Sequence, residues 1–154
     1  VWEVWAVRCH TVEFPAKPER VRDARDWVRA LLHPGTPASV VGDALLAVSE
    51  VATNAVRHST GPRFRLDAGV SPTSLYVECC DGGGPTAPRI PEVGPDDENG
   101  RGLRLVAAVC TMTGFLPSRP GVFFFLDWSR GAPDRAPHLT LRPGAGRCGG
   151  PGPP

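Results

Sequence analysis

Glu50 and Asn54 stand four residues apart in a segment, residues 40–58, that is otherwise rich in alanine and valine. On a helix of 3.6 residues per turn the two side chains lie one turn apart on the same face. A carboxylate and a carboxamide so placed can share one bound ion or its water shell. The competing reading of the same stripe is a solvated polar face that serves no ligand.

Two glycine clusters downstream decide how much weight the pair carries. In Asp81-Gly82-Gly83-Gly84-Pro85 an acidic residue directly follows an apolar strand pattern. Its carboxylate can accept a hydrogen bond from an exocyclic amine, and Gly83, lacking Cβ, lets a flat base approach the backbone. A plain glycine-rich turn is the alternative. Further on, Gly100-Arg101-Gly102-Leu103 opens a predicted helix. Free backbone N–H groups and the positive end of the helix dipole there suit a polyphosphate, with Arg101 or Arg104 nearby. Each signal is weak alone, and their order along one chain strengthens all three.

The elements that must position these residues follow from hydrophobic period and turn chemistry. Residues 4–14 carry β-branched and aromatic side chains and end at Pro15, which suits a first strand. Over residues 18–32 the spacing of Val21, Ala24, Val28, Leu31 and Leu32 is helical, with Arg22, Arg25 and Arg29 opposite. Thr36 followed by Pro37 predicts an N-cap with proline at the first helical position, opening a helix to His58. Residues 64–70 and 75–80 read as an antiparallel strand pair around a Ser71-Pro72 turn. A Pro-rich, acidic loop reaches Asn99, a helix covers residues 103–112, and strands near 113–116 and 122–128 flank a turn at Arg119-Pro120-Gly121. The order β-α-α-β-β-loop-α-β-β predicts an α+β two-layer sandwich, a mixed and mostly antiparallel sheet covered on one face by helices.

Composition bounds the function. At 154 residues, with 41% apolar and 21% charged, the chain has the balance of one globular domain. A working domain over residues 4–130 is expected, followed at 131–154 by a Gly/Pro-rich tail that is expected to be disordered. The formal charge of +1, with arginines scattered, gives no basic field, which argues against direct nucleic-acid binding. No segment reads as a membrane span or a signal peptide, so a cytoplasmic location is expected. The five cysteines show no CxxC or zinc spacing and read as reduced thiols, with Cys79 and Cys80 on opposite faces of a strand. Trp2, Trp5 and Phe123-Phe124-Phe125 are expected in the core or at a homodimer contact.

With these motifs in hand, the chain resembles the GHKL (Bergerat-fold) ATPases, and among them the stand-alone anti-sigma regulatory factors that are serine/threonine protein kinases. Residues 46–58, LAVSEVATNAVRH, resemble the N box of that family, Asp81-Gly82-Gly83-Gly84-Pro85 the first glycine box, and residues 100–106, GRGLRLV, the second. The likeness runs over roughly residues 11–128 with the motifs in family order.

The resemblance implies ATP and Mg²⁺ as cofactors. It implies Asn54 as the Mg²⁺ ligand, Asp81 as reader of the adenine amine and Gly83 as the site of close base passage. Gly100 and Gly102, with Arg101 and Leu103 in the same box, meet the phosphates, and Glu50 is the general base for transfer to a serine hydroxyl. Residues 86–99 are then a lid. The partners implied are a STAS-type anti-sigma factor antagonist as substrate and an RNA polymerase sigma factor as the sequestered protein. The alternative within the same fold is a non-catalytic, ATP-gated protein-binding module.

Overall fold

The computed structural model describes residues 7–59, 61–81 and 98–129. Along the chain run β1 (Arg8–Pro15), α1 (Arg20–Leu31), α2 (Ala38–His58), β2 (Arg63–Ser71), β3 (Ser74–Asp81), α3 (Glu98–Val109), β4 (Met112–Phe115) and β5 (Gly121–Asp127). The strands form one sheet in the order β1-β2-β3-β5-β4. All four pairings among the described residues are antiparallel, so the sheet is not mixed.

Strict alternation dictates which face is covered. Phe64, Leu66, Ala68 and Val70 of β2, Leu75, Val77 and Cys79 of β3, and Val122, Phe124 and Leu126 of β5 are buried on one side. Against them lies α2, whose buried Ala44, Ala47, Val48, Val51, Ala52 and Ala55 recur at helical spacing. Four of these six are alanine, which lets the helix axis sit close to β3 and β5. Flanking α2 are α1, which buries Val21, Ala24 and Val28, and α3, which buries Val106. Each fully buried Val, Leu or Phe contributes roughly 1.5–3 kcal/mol relative to exposure. Of the phenylalanine run, Phe124 alone is core. Phe123 and Phe125 stand half-buried on the opposite face, Phe123 with its ring 5.7 Å from that of Tyr76.

Several expectations are corrected. The N-cap of α2 is Pro37, whose carbonyl accepts the Val41 N–H at 3.0 Å, and Thr36 makes no cap bond: its Oγ1 is buried without a partner. Proline, having no N–H to place, fits the cap as well as the first helical position. Helix α3 opens at Glu98, so Glu98 and Asn99 belong to a helix rather than a lid, and Gly100 and Gly102 lie inside it. By length and composition α2, 21 residues long with an 18-residue stretch of mean hydropathy 1.3, is apolar enough to cross a membrane. Its apolar side is the core side, which accounts for that composition. Cys79, Cys80 and Cys110 are free thiols, whereas Cys9 is disulfide-bonded. Trp2, Trp5, Gly83, residues 86–97 of the expected lid and the tail from 131 lie outside the described residues.

Candidate functional site

The core-facing row of α2 leaves Glu50 and Asn54 on its flank, both half-buried. Helix α3 packs against this flank. The contact is close at Gly102, where a Cβ would collide with Glu50 Oε2 and would lie 3.5 Å from Glu50 Cδ and 3.8 Å from Glu50 Cβ. The carboxylate therefore rests in the space that any other residue at 102 would fill. A negative charge near the opening of a helix also meets the favourable end of its dipole.

β3 delivers the third residue. Asp81 ends the strand, paired with Phe64, and shares the parity of Leu75, Val77 and Cys79, so it points toward the helix-covered face. Its Oδ1 is buried and has no hydrogen-bond partner among the described residues. A buried acceptor left unmade costs about 1–3 kcal/mol, and a ligand N–H aimed at it recovers that loss. Asp81 also lines a cavity of about 300 Å³ at the strand ends, with Phe64, Cys80, Arg63 and Arg65, which Glu50 and Asn54 do not reach.

The strand is tied to the helix two residues before Asp81. Cys79 Sγ donates to the Val51 carbonyl at 3.6 Å. Burial pushes the Cys79 thiol well up, with Cys80 and Asp81 adding to it, so the sulfur keeps its proton and remains a donor. Val51 directly follows Glu50, so this bond fixes the strand end and the polar flank of α2 relative to one another.

In the second glycine box, Gly100 lies in the first turn of α3, where N–H groups have no partner within the helix. Gly102 lies beyond that turn, where N–H groups bond within the helix, and what it offers is the room of its missing Cβ. Arg101 is exposed, and Leu103 packs partly buried against the core. Glu50 and Gly102 of α3 thus come together, Asn54 stands one helical turn along the same flank, and Asp81 ends the strand that Cys79 ties to Val51.

The face of the sheet away from the helices holds a charged network that the linear sequence does not reveal. Arg65 bonds Asp67 Oδ1 at 2.8 Å and Arg119 approaches Asp67 Oδ2 at 3.7 Å. Arg119 also pairs with Glu78, which accepts the Tyr76 hydroxyl at 2.7 Å. Burial, then this bond, pushes the Tyr76 phenol up. Asp67, Glu78 and Cys80 lie within 4.8 Å of one another, but guanidinium groups already neutralise both carboxylates. The Cys79 tie was within reach of sequence reading, because alternation places it under α2. The Gly102 contact was not, because nothing local in the sequence signals it.

The family model of the histidine kinase-like ATPase domain matches residues 14–112, from the end of β1 to the start of β4. Glu50, Asn54, Asp81, Gly100, Arg101, Gly102 and Leu103 all fall inside that span. No curated protein matches the chain.

Proposed function

The chain belongs to the histidine kinase-like ATPase domain family, an ATP-binding domain of the GHKL class, and from that premise we propose that it is a protein kinase acting in the cytoplasm. Its substrate is a serine or threonine on a small STAS-type anti-sigma factor antagonist, and its other partner is an RNA polymerase sigma factor that it sequesters. The observation that carries the reading is the Glu50 carboxylate, half-buried against α3 and one helical turn from Asn54. A domain that only bound nucleotide would have no need of a proton acceptor there.

The residues present suit ATP and Mg²⁺. Asp81 Oδ1, buried and unpartnered, accepts from the adenine amine, and glycine at 83, having no Cβ, suits close passage of the base. Gly100 and Arg101 face the phosphates beside Leu103. Asn54 would hold the Mg²⁺, which when bound would neutralise phosphate charge. Glu50 takes the proton of the acceptor hydroxyl while that oxygen bonds to the γ-phosphorus and the bond from phosphorus to the ADP oxygen breaks. The new phosphoserine brings roughly −1.5 to −2 charges to the antagonist surface. That charge frees the kinase to hold the sigma factor.

The test is incubation with γ-labelled Mg-ATP and a STAS-type antagonist. Label on a hydroxyl residue that is lost with Glu50→Ala supports the kinase. Nucleotide binding with no transfer leaves the ATP-gated binding module in its place.

A further inference from the structure

We infer that Gly102 is a positioning residue for Glu50, a seat without a side chain that sets where the carboxylate stands; the inference rests on the kinase reading above. The three nearest heavy atoms to a Cβ built at Gly102 all belong to Glu50, and the nearest is its Oε2. Gly102 sits inside α3 with no left-handed backbone angle, so helix geometry does not call for glycine at this place. Glycine in a helix interior is less favourable than alanine by roughly 0.8–1.0 kcal/mol. Something other than backbone conformation has to account for it, and the Glu50 contact does. By comparison, Gly42 in α2 faces open space, with nothing within 4 Å of a Cβ.

The chemistry of the clash makes the inference testable. The atom in the way is the far end of a flexible side chain, not backbone, so alanine at 102 displaces the carboxylate and leaves both helices in place. A misplacement of about 1 Å at a reacting group can lower turnover on the order of 100-fold. A loss confined to nucleotide affinity would report on the phosphates and not on the carboxylate, so Kd is read separately from kcat. Aspartate at 50 is one methylene shorter and withdraws its carboxylate from the new methyl group.

The experiment combines Gly102→Ala, Glu50→Asp and the double variant, read by phosphotransfer rate, ATP binding by calorimetry and the Glu50 side-chain ¹³C carboxyl signal by NMR. Gly102→Ala is expected to lower kcat on the order of 100-fold, to move the Glu50 carboxyl signal and to keep or raise Tm. Glu50→Asp lowers the rate by itself, and adding Gly102→Ala to it is expected to cost little more, because the shorter side chain no longer meets the methyl group, a strongly non-additive cycle. Unchanged kcat and an unmoved carboxyl signal in Gly102→Ala overturn the inference. So does a weakened Kd with kcat intact, which would assign Gly102 to the phosphates. If the unaltered chain transfers no phosphate, the kinase reading fails, while the NMR signal still reports whether Gly102 seats Glu50.

Discussion

The Cys79 thiol donates to the Val51 carbonyl across 3.6 Å, joining the central strand to the helix that carries Glu50. Both partners are buried, and Cys79 is 1% exposed. Cys79→Ala removes the donor and leaves a small void under α2. The expected loss is about 1–2 kcal/mol of unfolding free energy, measured by urea titration with an unchanged m-value. An unaltered midpoint would show the bond to be incidental.

Asp81 gives a prediction about base choice. If its unpartnered Oδ1 accepts from the adenine amine, inosine triphosphate, which lacks that amine, binds more weakly than ATP by roughly 10- to 100-fold. Asp81→Ala is expected to weaken ATP by a similar factor and to bring the two nucleotides close together. Calorimetry showing the same preference in both proteins would rule this role out.

Gly121 and Gly42 form a matched pair of opposite sign. Gly121 opens β5 at φ +151°, and a Cβ there would strike the Cys79 carbonyl oxygen and sit 3.0 Å from Cys80 Cα. Gly121→Ala is expected to destabilise by more than about 2 kcal/mol, since the β3 backbone resists movement and the φ is unfavourable for a side chain. Gly42→Ala meets open space on an exposed helix position and is expected to stabilise by about 0.5–1 kcal/mol. Thermal melts of the two variants should move in opposite directions from the parent.

The cysteines predict an alkaline limit. Burial pushes the Cys80 thiol up to about 11 and the Cys110 thiol up to about 12, from 9.0 in a free chain, and Cys79 rises as well. Below pH 9 both folded and unfolded chains keep these protons, and the stabilisation is intact. Above it the unfolded chain releases protons that the folded one retains, so stability falls as pH rises from about 9 toward 12. Urea midpoints at pH 7.5, 9.5 and 10.5 should decline in that order, with a shallower decline in Cys110→Ala. At pH 8 iodoacetamide should label these three cysteines only after urea is added.

All eight elements were legible from hydrophobic period and turn residues, because alternation in β2, β3 and β5 and the helical spacing of α2 are written in contiguous sequence. The polar flank with Glu50 and Asn54 and the strand-end location of Asp81 came through for the same reason. Boundaries failed where local chemistry is ambiguous. Pro37 fits two cap positions, and Glu98-Asn99-Gly100 continues the acidic composition of the preceding segment, hiding the start of α3. The seat of Glu50 on Gly102 and the pairing of Arg119 with Glu78 and Asp67 join residues dozens apart, and no local pattern encodes them.

β3 is the middle strand of five, and its last residue is Asp81. A molecule held by Asp81 therefore contacts the centre of the sheet and not one of its edge strands. Its affinity adds to the free energy of unfolding the whole domain, by RT ln(1 + [L]/Kd), about 2.7 kcal/mol at a hundredfold excess over Kd. Occupancy should accordingly slow amide exchange across the entire sheet as well as around the strand end.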